Sequence, residues 1–267
     1  MPSITNFAGS VPQHYDTYLG PVLFEPYAID LVDRMESNYQ SILELACGTG
    51  RVSRHLVHKL AANGRLLATD LNADMLKIAR QAISDPRVEW LVADAQALPF
   101  DDARFDLVAC QYGIMFFQDK SKALGEIFRV LKPGRRVLFN TWSSLSHNAL
   151  CQLTVQALQE LFPEDPPSFF ERGPYSFYDT DLIRRLLEDA GFTEISIEKA
   201  SRDSVAPSVD EAVTGILDGT PVSAFLQENS AQAPAVRQRL RELLVTQYGE
   251  TNLRMPMEAF VCSAVKS

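Results

Sequence analysis

Three acids stand at comparable places in the first part of the chain: Glu44, Asp70 and Asp94, each after a short apolar run. Carboxylates so placed can accept hydrogen bonds from the hydroxyl and amine groups of a nucleoside. Between the first two lies a turn of small residues, Ala46-Cys47-Gly48-Thr49-Gly50, and a helical pattern starts at Arg51. A strand, a tight turn and a helix N-terminus together bring backbone N–H groups up to a nucleotide-like ligand. Gly48 and Gly50 permit conformations and a close ligand approach that a Cβ hinders. Asp70 suits the two ribose hydroxyls. Asp94 suits an exocyclic adenine amine, with the Ala95 N–H for a ring nitrogen and Leu71 and Met75 as apolar partners for the adenine face. A pyrophosphate over the turn would be repelled by Glu44, whereas a cationic cofactor or an amino-acid ammonium would be held by it. The Gly-x-Gly spacing by itself also serves nicotinamide cofactors, so a nicotinamide-dependent oxidoreductase stays open at this point.

A second group of residues follows the later strands. Gln111, Tyr112, Ile114 and Met115 come after the fourth apolar run, and Trp142 and His147 after the fifth. Histidine is the natural proton acceptor near neutral pH, which makes His147 and His14 candidate bases, with Tyr112 beside them as a candidate catalytic group. Each histidine has a plainer reading as a surface or packing residue. Phe169, Phe170 and Tyr175, in an aromatic-rich segment, read either as the roof of a pocket or as the docking face of a helical cover. A pocket lined by Tyr112, Met115, Trp142 and these aromatics favours a planar or partly apolar small molecule.

The elements that must position these groups alternate. Strands are expected at Ser41–Leu45, Arg65–Thr69, Val88–Val92, Phe105–Cys110 and Arg136–Asn140. Helices are expected over Phe24–Met35, from Arg51 to near Gly64, after Asn72 and from Ser121. Such alternation argues for a mostly parallel sheet with helices on both faces, right-handed crossovers, and ligands at the carboxyl ends of the strands. Beyond Trp142 the pattern predicts a helix over 145–162, a helix Leu182–Ala190 capped by Asp179 or Thr180, a strand near Thr193–Glu198, helices over 208–228 and 232–247, and a last antiparallel strand Ala259–Val265. Boundaries follow: an arm or lid at 1–24, a cofactor-binding core at 25–142, a substrate cover at 143–180, and completion of the sheet with further helices at 181–267.

The chain has 267 residues and a formal net charge of −9, and it lacks a Lys/Arg-rich run of the kind that neutralises a nucleic-acid backbone. The four cysteines show no metal-site spacing and no secretory disulfide pattern. Neither a signal peptide nor a membrane-spanning stretch is visible. The expected setting is cytoplasmic, as a monomer or homodimer, with no nucleic acid, membrane or metal ion involved.

Glu44-Leu45-Ala46-Cys47-Gly48-Thr49-Gly50 resembles the first motif of the class I S-adenosylmethionine-dependent methyltransferases, with Ala46 where glycine is common. Ala68–Leu76 resembles their second motif, with Asp70 as the ribose ligand. Val92-Ala93-Asp94-Ala95-Gln96 with Leu98-Pro99-Phe100 resembles the adenine loop. Phe105–Val108 and Glu126–Arg135 are similar to the strand 4 region and the turn before strand 5 of the small-molecule, methyltransferase type 11-like branch. The likeness covers roughly residues 25–142. It implies a Rossmann-like seven-stranded sheet whose last strand inserts antiparallel between strands 5 and 6, and S-adenosyl-L-methionine as cofactor, held by the first two motifs, Cys47, the adenine loop and Gln111. It further implies an N-terminal arm that brings Tyr15 or Tyr18 to the methionine portion. The implied reaction is an in-line displacement at the sulfonium methyl by an N, O or C nucleophile. Gln111-Tyr112-Gly113-Ile114 lacks the Asn/Asp-Pro-Pro-Phe/Tyr sequence of many nucleic-acid amino-methylating enzymes, which favours a small metabolite. The alternative within the resemblance is a non-catalytic S-adenosylmethionine-binding scaffold.

Overall fold

A computed structural model describes Gly9 and residues 11–267; residues 1–8 and 10 of the expected arm lie outside the described residues. In chain order the elements are α1 (Val11–His14), a π-helical stretch Tyr15–Phe24, α2 (Glu25–Asp33), β1 (Tyr39–Glu44), α3 (Ser53–Leu56), β2 (Leu60–Asp70), α4 (Ala73–Ala82) and β3 (Val88–Val92). They continue with β4 (Phe105–Gln111), α5 (Lys120–Val130), β5 (Leu131–Trp142), α6 (Ala149–Leu161), α7 (Phe169–Arg172), α8 (Thr180–Asp189) and β6 (Phe192–Ser208). The last are α9 (Val209–Asp218), α10 (Val222–Glu228), α11 (Ala233–Tyr248) and β7 (Thr251–Lys266).

One seven-stranded sheet runs in the order β3-β2-β1-β4-β5-β7-β6. The pairs β1–β2, β1–β4, β2–β3 and β4–β5 are parallel. β7 lies antiparallel to β5, from Arg136 opposite Val265 to Trp142 opposite Ala259, and separates β5 from β6. The predicted Rossmann-like sheet with its inserted antiparallel last strand is thus present. β1 and β4 contribute Ile42, Leu43, Leu107, Val108 and Ala109, all fully buried. Such continuous apolar runs are what a parallel strand covered on both faces requires.

The chain divides into two compact units. A sheet unit holds Tyr27–Trp142, Phe177–Ala200 and Ala259–Ser267. A helical unit holds the described residues up to Pro26, Ser143–Ser176 and Ser201–Glu258. Three helix starts in the sheet unit, those of α4, α5 and α8, are set by side chains that accept otherwise unused backbone N–H groups. Asn72 accepts from Asp74 and Met75, Asp119 from Lys122, and Asp179 from Asp181 and Leu182.

β5 and β7 begin earlier than expected, at Leu131 and Thr251, and the helix expected over 145–162 opens as a separate 3-10 turn, Leu145–His147; four other elements also differ. The helix after the turn stops early: Leu60 takes an extended conformation and pairs with Tyr39 of β1, so strand pairing claims a residue that the apolar spacing assigned to the helix. β6 extends well past Glu198 because its exposed, polar stretch is the end strand of the sheet, where alternation is weak. The helix expected over 208–228 is split at Gly219-Thr220-Pro221, where proline offers no N–H. There Thr220 Oγ1 donates to Ile216 O at 2.7 Å and accepts from Val222 N at 3.3 Å. The helix expected from Phe24 is preceded by the π-helical stretch, in which Pro21 removes a donor and Glu25 N–H reaches back to Gly20 O.

Candidate functional site

β1 delivers Glu44 to the start of the small-residue turn. Glu44 is 1% exposed, and Ser53 at the start of α3 donates its hydroxyl to Glu44 Oε2 at 2.5 Å. Burial pushes the Glu44 carboxyl up to about 8, the Asp70 charge adds to the rise, and the Ser53 bond opposes it. Burial thus favours the protonated acid over the carboxylate. The backbone leaving Glu44 is fixed from both sides: Thr69 Oγ1 donates to Glu44 O at 2.9 Å, Leu45 N to Ala109 O at 2.9 Å, and Cys47 N to Thr69 O at 2.9 Å.

Positive φ values alternate through the turn: 50° at Ala46, 56° at Gly48 and 80° at Gly50. The two glycines answer to different constraints. A Cβ on Gly48 would meet nothing within 4 Å, whereas one on Gly50 would come within 2.9 Å of Ile83 Cδ1 and 3.2 Å of Ala79 Cβ. Gly50 thus lets α4 pack against the turn, while Gly48 leaves open space over it. Ala46 holds a left-handed conformation at a cost of about 1–2 kcal/mol relative to an ordinary residue site. Cys47 is buried, which pushes its thiol well up and makes it inert at neutral pH.

At the end of β2, Asp70 ties the turn to the next helix. Its Oδ2 accepts Gly48 N at 2.8 Å and its Oδ1 accepts Asn72 N at 2.8 Å. Burial raises its carboxyl above the ordinary value, and these N–H bonds oppose the rise. A carboxylate oxygen has room for a second bond, so both oxygens can still accept from a diol. Leu71 beside it is 69% exposed, more than any other large apolar residue among those described, while Met75 is buried.

Asp94 closes β3 through a local turn: its Oδ1 accepts Gln96 N at 2.9 Å and Gln96 Nε2 at 3.1 Å. Gln96 Oε1 in turn accepts Asp119 N at 2.7 Å, linking the loop to the start of α5. The sequence signal for Gln96 is its position two residues after an acid in a loop. Ala95 is buried between them.

Past Gln111 at the end of β4, Tyr112 has φ 51° and donates its N–H to Asn140 Oδ1 at 3.1 Å. Its ring stacks on Trp142 at 3.9 Å with planes 7° apart, and Tyr27 stands edge-on to both. Gly113 follows because a Cβ there would collide with Ala46 Cβ and come within 2.8 Å of Cys110 Sγ. Met115 is buried in the next turn. Sequence reasoning missed Asn140, which is fully buried. The signal was the one that singled out Glu44: a polar residue ending an apolar strand.

The remaining candidates belong to the helical unit. His14 stacks on Tyr18 at 5.9 Å, and Tyr15 on Phe24 at 4.7 Å. Phe170 and Tyr175 are buried, and Phe169 lies 5.1 Å from Phe170 between ring centroids. His147 ends a short 3-10 turn, Leu145–His147, with Nδ1 2.8 Å from Ser144 Oγ and 3.7 Å from Glu258 Oε1. It lines a cavity of about 650 Å³ together with Ser146, Gln152, Arg202, Tyr248 and Met257; His14 does not. Among the described residues no group of three or more His, Cys, Asp or Glu could hold a metal ion, and no helix is long and apolar enough to cross a membrane.

Comparison with known proteins agrees with this geometry. The ubiE/COQ5 methyltransferase family profile matches residues 28–208. The ubiquinone/menaquinone biosynthesis C-methyltransferase UbiE of Klebsiella pneumoniae (strain 342) is 30% identical over 180 residues, covering 62% of this chain and 72% of that protein. Its Escherichia coli O1:K1 / APEC counterpart is 29% identical over the same shares. Among solved structures, Haemonchus contortus phosphoethanolamine N-methyltransferase 2 in complex with S-adenosyl-L-methionine aligns with a TM-score of 0.63 at 20% identity, over 100% of this chain and 60% of that one. A SAM-dependent methyltransferase from Aquifex aeolicus aligns with a TM-score of 0.52 at 17% identity, over 73% of this chain and 89% of that one. These two likenesses speak for the fold. With its profile match spanning both the turn and the strands that build it, the chain belongs to the ubiE/COQ5 methyltransferase family and is an S-adenosylmethionine-dependent enzyme.

Proposed function

We propose that the chain transfers the methyl group to a nucleophile of a small, planar or partly apolar metabolite. S-Adenosylmethionine supplies the electrophilic sulfonium methyl. The observation that carries the reading is the turn itself: Gly48 leaves open space at a backbone held by Asp70, and the buried Glu44 stands where β1 enters it. An acid able to ionise there would attract a sulfonium amino acid and repel a pyrophosphate. In this reading Asp70 holds the ribose, Leu71 and Met75 flank the adenine, and Asp94 with the Ala95 N–H reads its edge. Ala46, Cys47, Gly48, Gly50 and Gln111 line the amino-acid part.

Candidates for the acceptor side are Tyr112, Met115 and Trp142 as aromatic and thioether surface of the sheet unit and, separately, His147 of the helical unit as a base. Tyr15, Tyr18, His14, Phe169, Phe170 and Tyr175 are candidates to be tested one substitution at a time. The UbiE relatives are named as C-methyltransferases of ubiquinone/menaquinone biosynthesis, which makes a ring carbon of a quinone precursor the first acceptor to assay. The net charge of −9 supports an enzyme working without nucleic acid, and we take its setting to be cytoplasmic, as a monomer or homodimer. The test is transfer of tritiated methyl from S-adenosylmethionine to a panel of phenolic and quinone-type compounds, with RNA and protein extracts as parallel acceptors. Label in one small-molecule class supports the reading; label confined to RNA or protein overturns it.

A further inference from the structure

Two polar side chains lie in the fully buried end of β5, and they are satisfied to different degrees. Thr141 Oγ1 donates its proton to Phe177 O at 2.7 Å. Asn140 settles only half of its amide: Oδ1 accepts Tyr112 N at 3.1 Å, whereas the buried Nδ2 has no hydrogen-bond partner. Which end of the amide is which follows from the chemistry. Only an oxygen accepts the Tyr112 N–H, so the end left over is the NH2 group. A buried donor without a partner is costly, and its presence in a folded protein calls for a reason.

Holding Tyr112 is not reason enough. The main-chain oxygen of Asn140 accepts the same N–H at 3.3 Å, so the side-chain bond duplicates it. An apolar residue of similar size would keep the main-chain bond and strand no donor. The place of the amide is more telling. Asn140 pairs in register with Gln111, the last residue of β4, at the carboxyl ends of the strands, where sheets of this kind bind their ligands. The strands run β1-β4-β5, so Asn140 stands two strand spacings, about 10 Å, from the strand that feeds the Ala46–Gly50 turn. The loop after β4 joins these places. Gly113 lies so close to Ala46 that a Cβ would collide with it, Asn140 holds Tyr112, and the Tyr112 ring stacks on Trp142, two residues beyond Asn140. All of these residues belong to the sheet unit. With the turn assigned to the cofactor, the end of β5 is left to the methyl acceptor.

We propose that Asn140 Nδ2 donates a hydrogen bond to an oxygen of the methyl acceptor, a carbonyl or an oxyanion carried on the planar part of that molecule. The inference rests on the small-molecule reading above and narrows it. An acceptor that turns only N–H or C–H groups toward β5 leaves the donor stranded, whereas a carbonyl or oxyanion satisfies it. Asn140 has no exposed surface, so the oxygen arrives with a shift of the side chains around the amide. Replacing the donor is felt most by ligands that carry the oxygen, because a shielded hydrogen bond separates a ligand that has its partner atom from one that lacks it.

The test is NMR of the Asn140 side-chain amide in the full chain labelled with ¹⁵N-asparagine, with Asn140→Asp and Asn140→Ser as two independent assignments. The probes are α-tetralone, which carries a ring carbonyl, and tetralin, which has the same ring system without it, each added with S-adenosylhomocysteine at saturation. The expected result is a downfield shift of the Asn140 amide protons with α-tetralone and none with tetralin. In Asn140→Asp, which keeps an oxygen for Tyr112 N, α-tetralone affinity should fall about tenfold or more while S-adenosylhomocysteine affinity is unchanged. A downfield shift produced in full by S-adenosylhomocysteine alone assigns the donor to the cofactor and overturns the proposal. Equal shifts with both rings overturn it too, as does no response to either, the outcome of a donor bound to a buried water only. Binding of S-adenosylhomocysteine, read in the same samples, separates these failures from a failure of the methyltransferase reading. Thermal unfolding shows which variants fold, and either one suffices for the assignment.

Discussion

Glu44 and His147 are the two acid–base groups on which the reading leans, and they are held in opposite ways. Glu44 is 1% exposed, has one hydroxyl partner and is kept neutral by burial. His147 is more than half exposed and is fixed through a clamp of backbone and amide bonds one residue away. In the sheet unit the chemistry lies in backbone geometry: positive φ at alternate residues, N–H groups tied to Asp70, and strand ends that place acids. In the helical unit it lies in side chains gathered from separate stretches of chain. In the proposed reading the first holds the methyl donor, and the second, built of side chains on loops and turns, is the more readily altered by substitution.

The largest effect that sharpens this contrast is expected at Asp70. Asp70→Ala frees the Gly48 and Asn72 N–H groups and removes the proposed ribose acceptor; two charge-assisted bonds to a diol are worth about 3 kcal/mol together, so S-adenosylhomocysteine affinity should fall about a hundredfold or more. Calorimetric titration reads it, and an unchanged affinity would break the assignment. Glu44 predicts a pH dependence. The folded chain holds its proton up to about 8, while the unfolded chain loses it near the ordinary glutamate value of 4.5. Between those values the folded state binds more protons, so this component of stability is full below about 4.5 and is lost as pH rises toward 8. Denaturant unfolding of wild type and Glu44→Gln should therefore diverge with pH, the wild type losing ground at the alkaline end; parallel curves would contradict the burial argument.

A smaller effect is expected at Gly113, where Gly113→Ala pushes a methyl into Ala46 Cβ and Cys110 Sγ. Overpacking of this kind costs about 1–3 kcal/mol, and a lowered thermal midpoint with weakened cofactor binding should show it. The smallest is Ala46→Gly. Relief of the left-handed strain outweighs the entropy a glycine adds to the unfolded chain by only about 0.5 kcal/mol, so a slight gain in stability is expected. A clear loss would mean that the Ala46 methyl packs usefully against its neighbours.

Much of the sheet unit was legible because its signals are local. Val88–Val92 lies where the apolar run placed it, and Asn72 and Asp179 cap the helices they precede. Leu60 was misread because a helical spacing says nothing about the Tyr39 backbone waiting beside it. β6 was read short because an exposed end strand buries too little to alternate. The strain at Ala46 and Tyr112 was invisible, since nothing in a residue's type reports a positive φ that its neighbours impose. Glu258 stayed hidden for another reason: Asn148 joins it to Ser144 across 110 residues of chain, and sequence spacing carries no trace of such a clamp.

The central claim is that the turn from Glu44 to Gly50, closed by Asp70, holds S-adenosylmethionine. The most direct measurement is isothermal titration of the purified full chain with S-adenosylmethionine and with S-adenosylhomocysteine, with NAD⁺ as control. One-to-one binding of both sulfur nucleosides, absent for NAD⁺ and weakened about a hundredfold or more in Asp70→Ala, is the predicted result. A folded protein that binds neither sulfur nucleoside would contradict it.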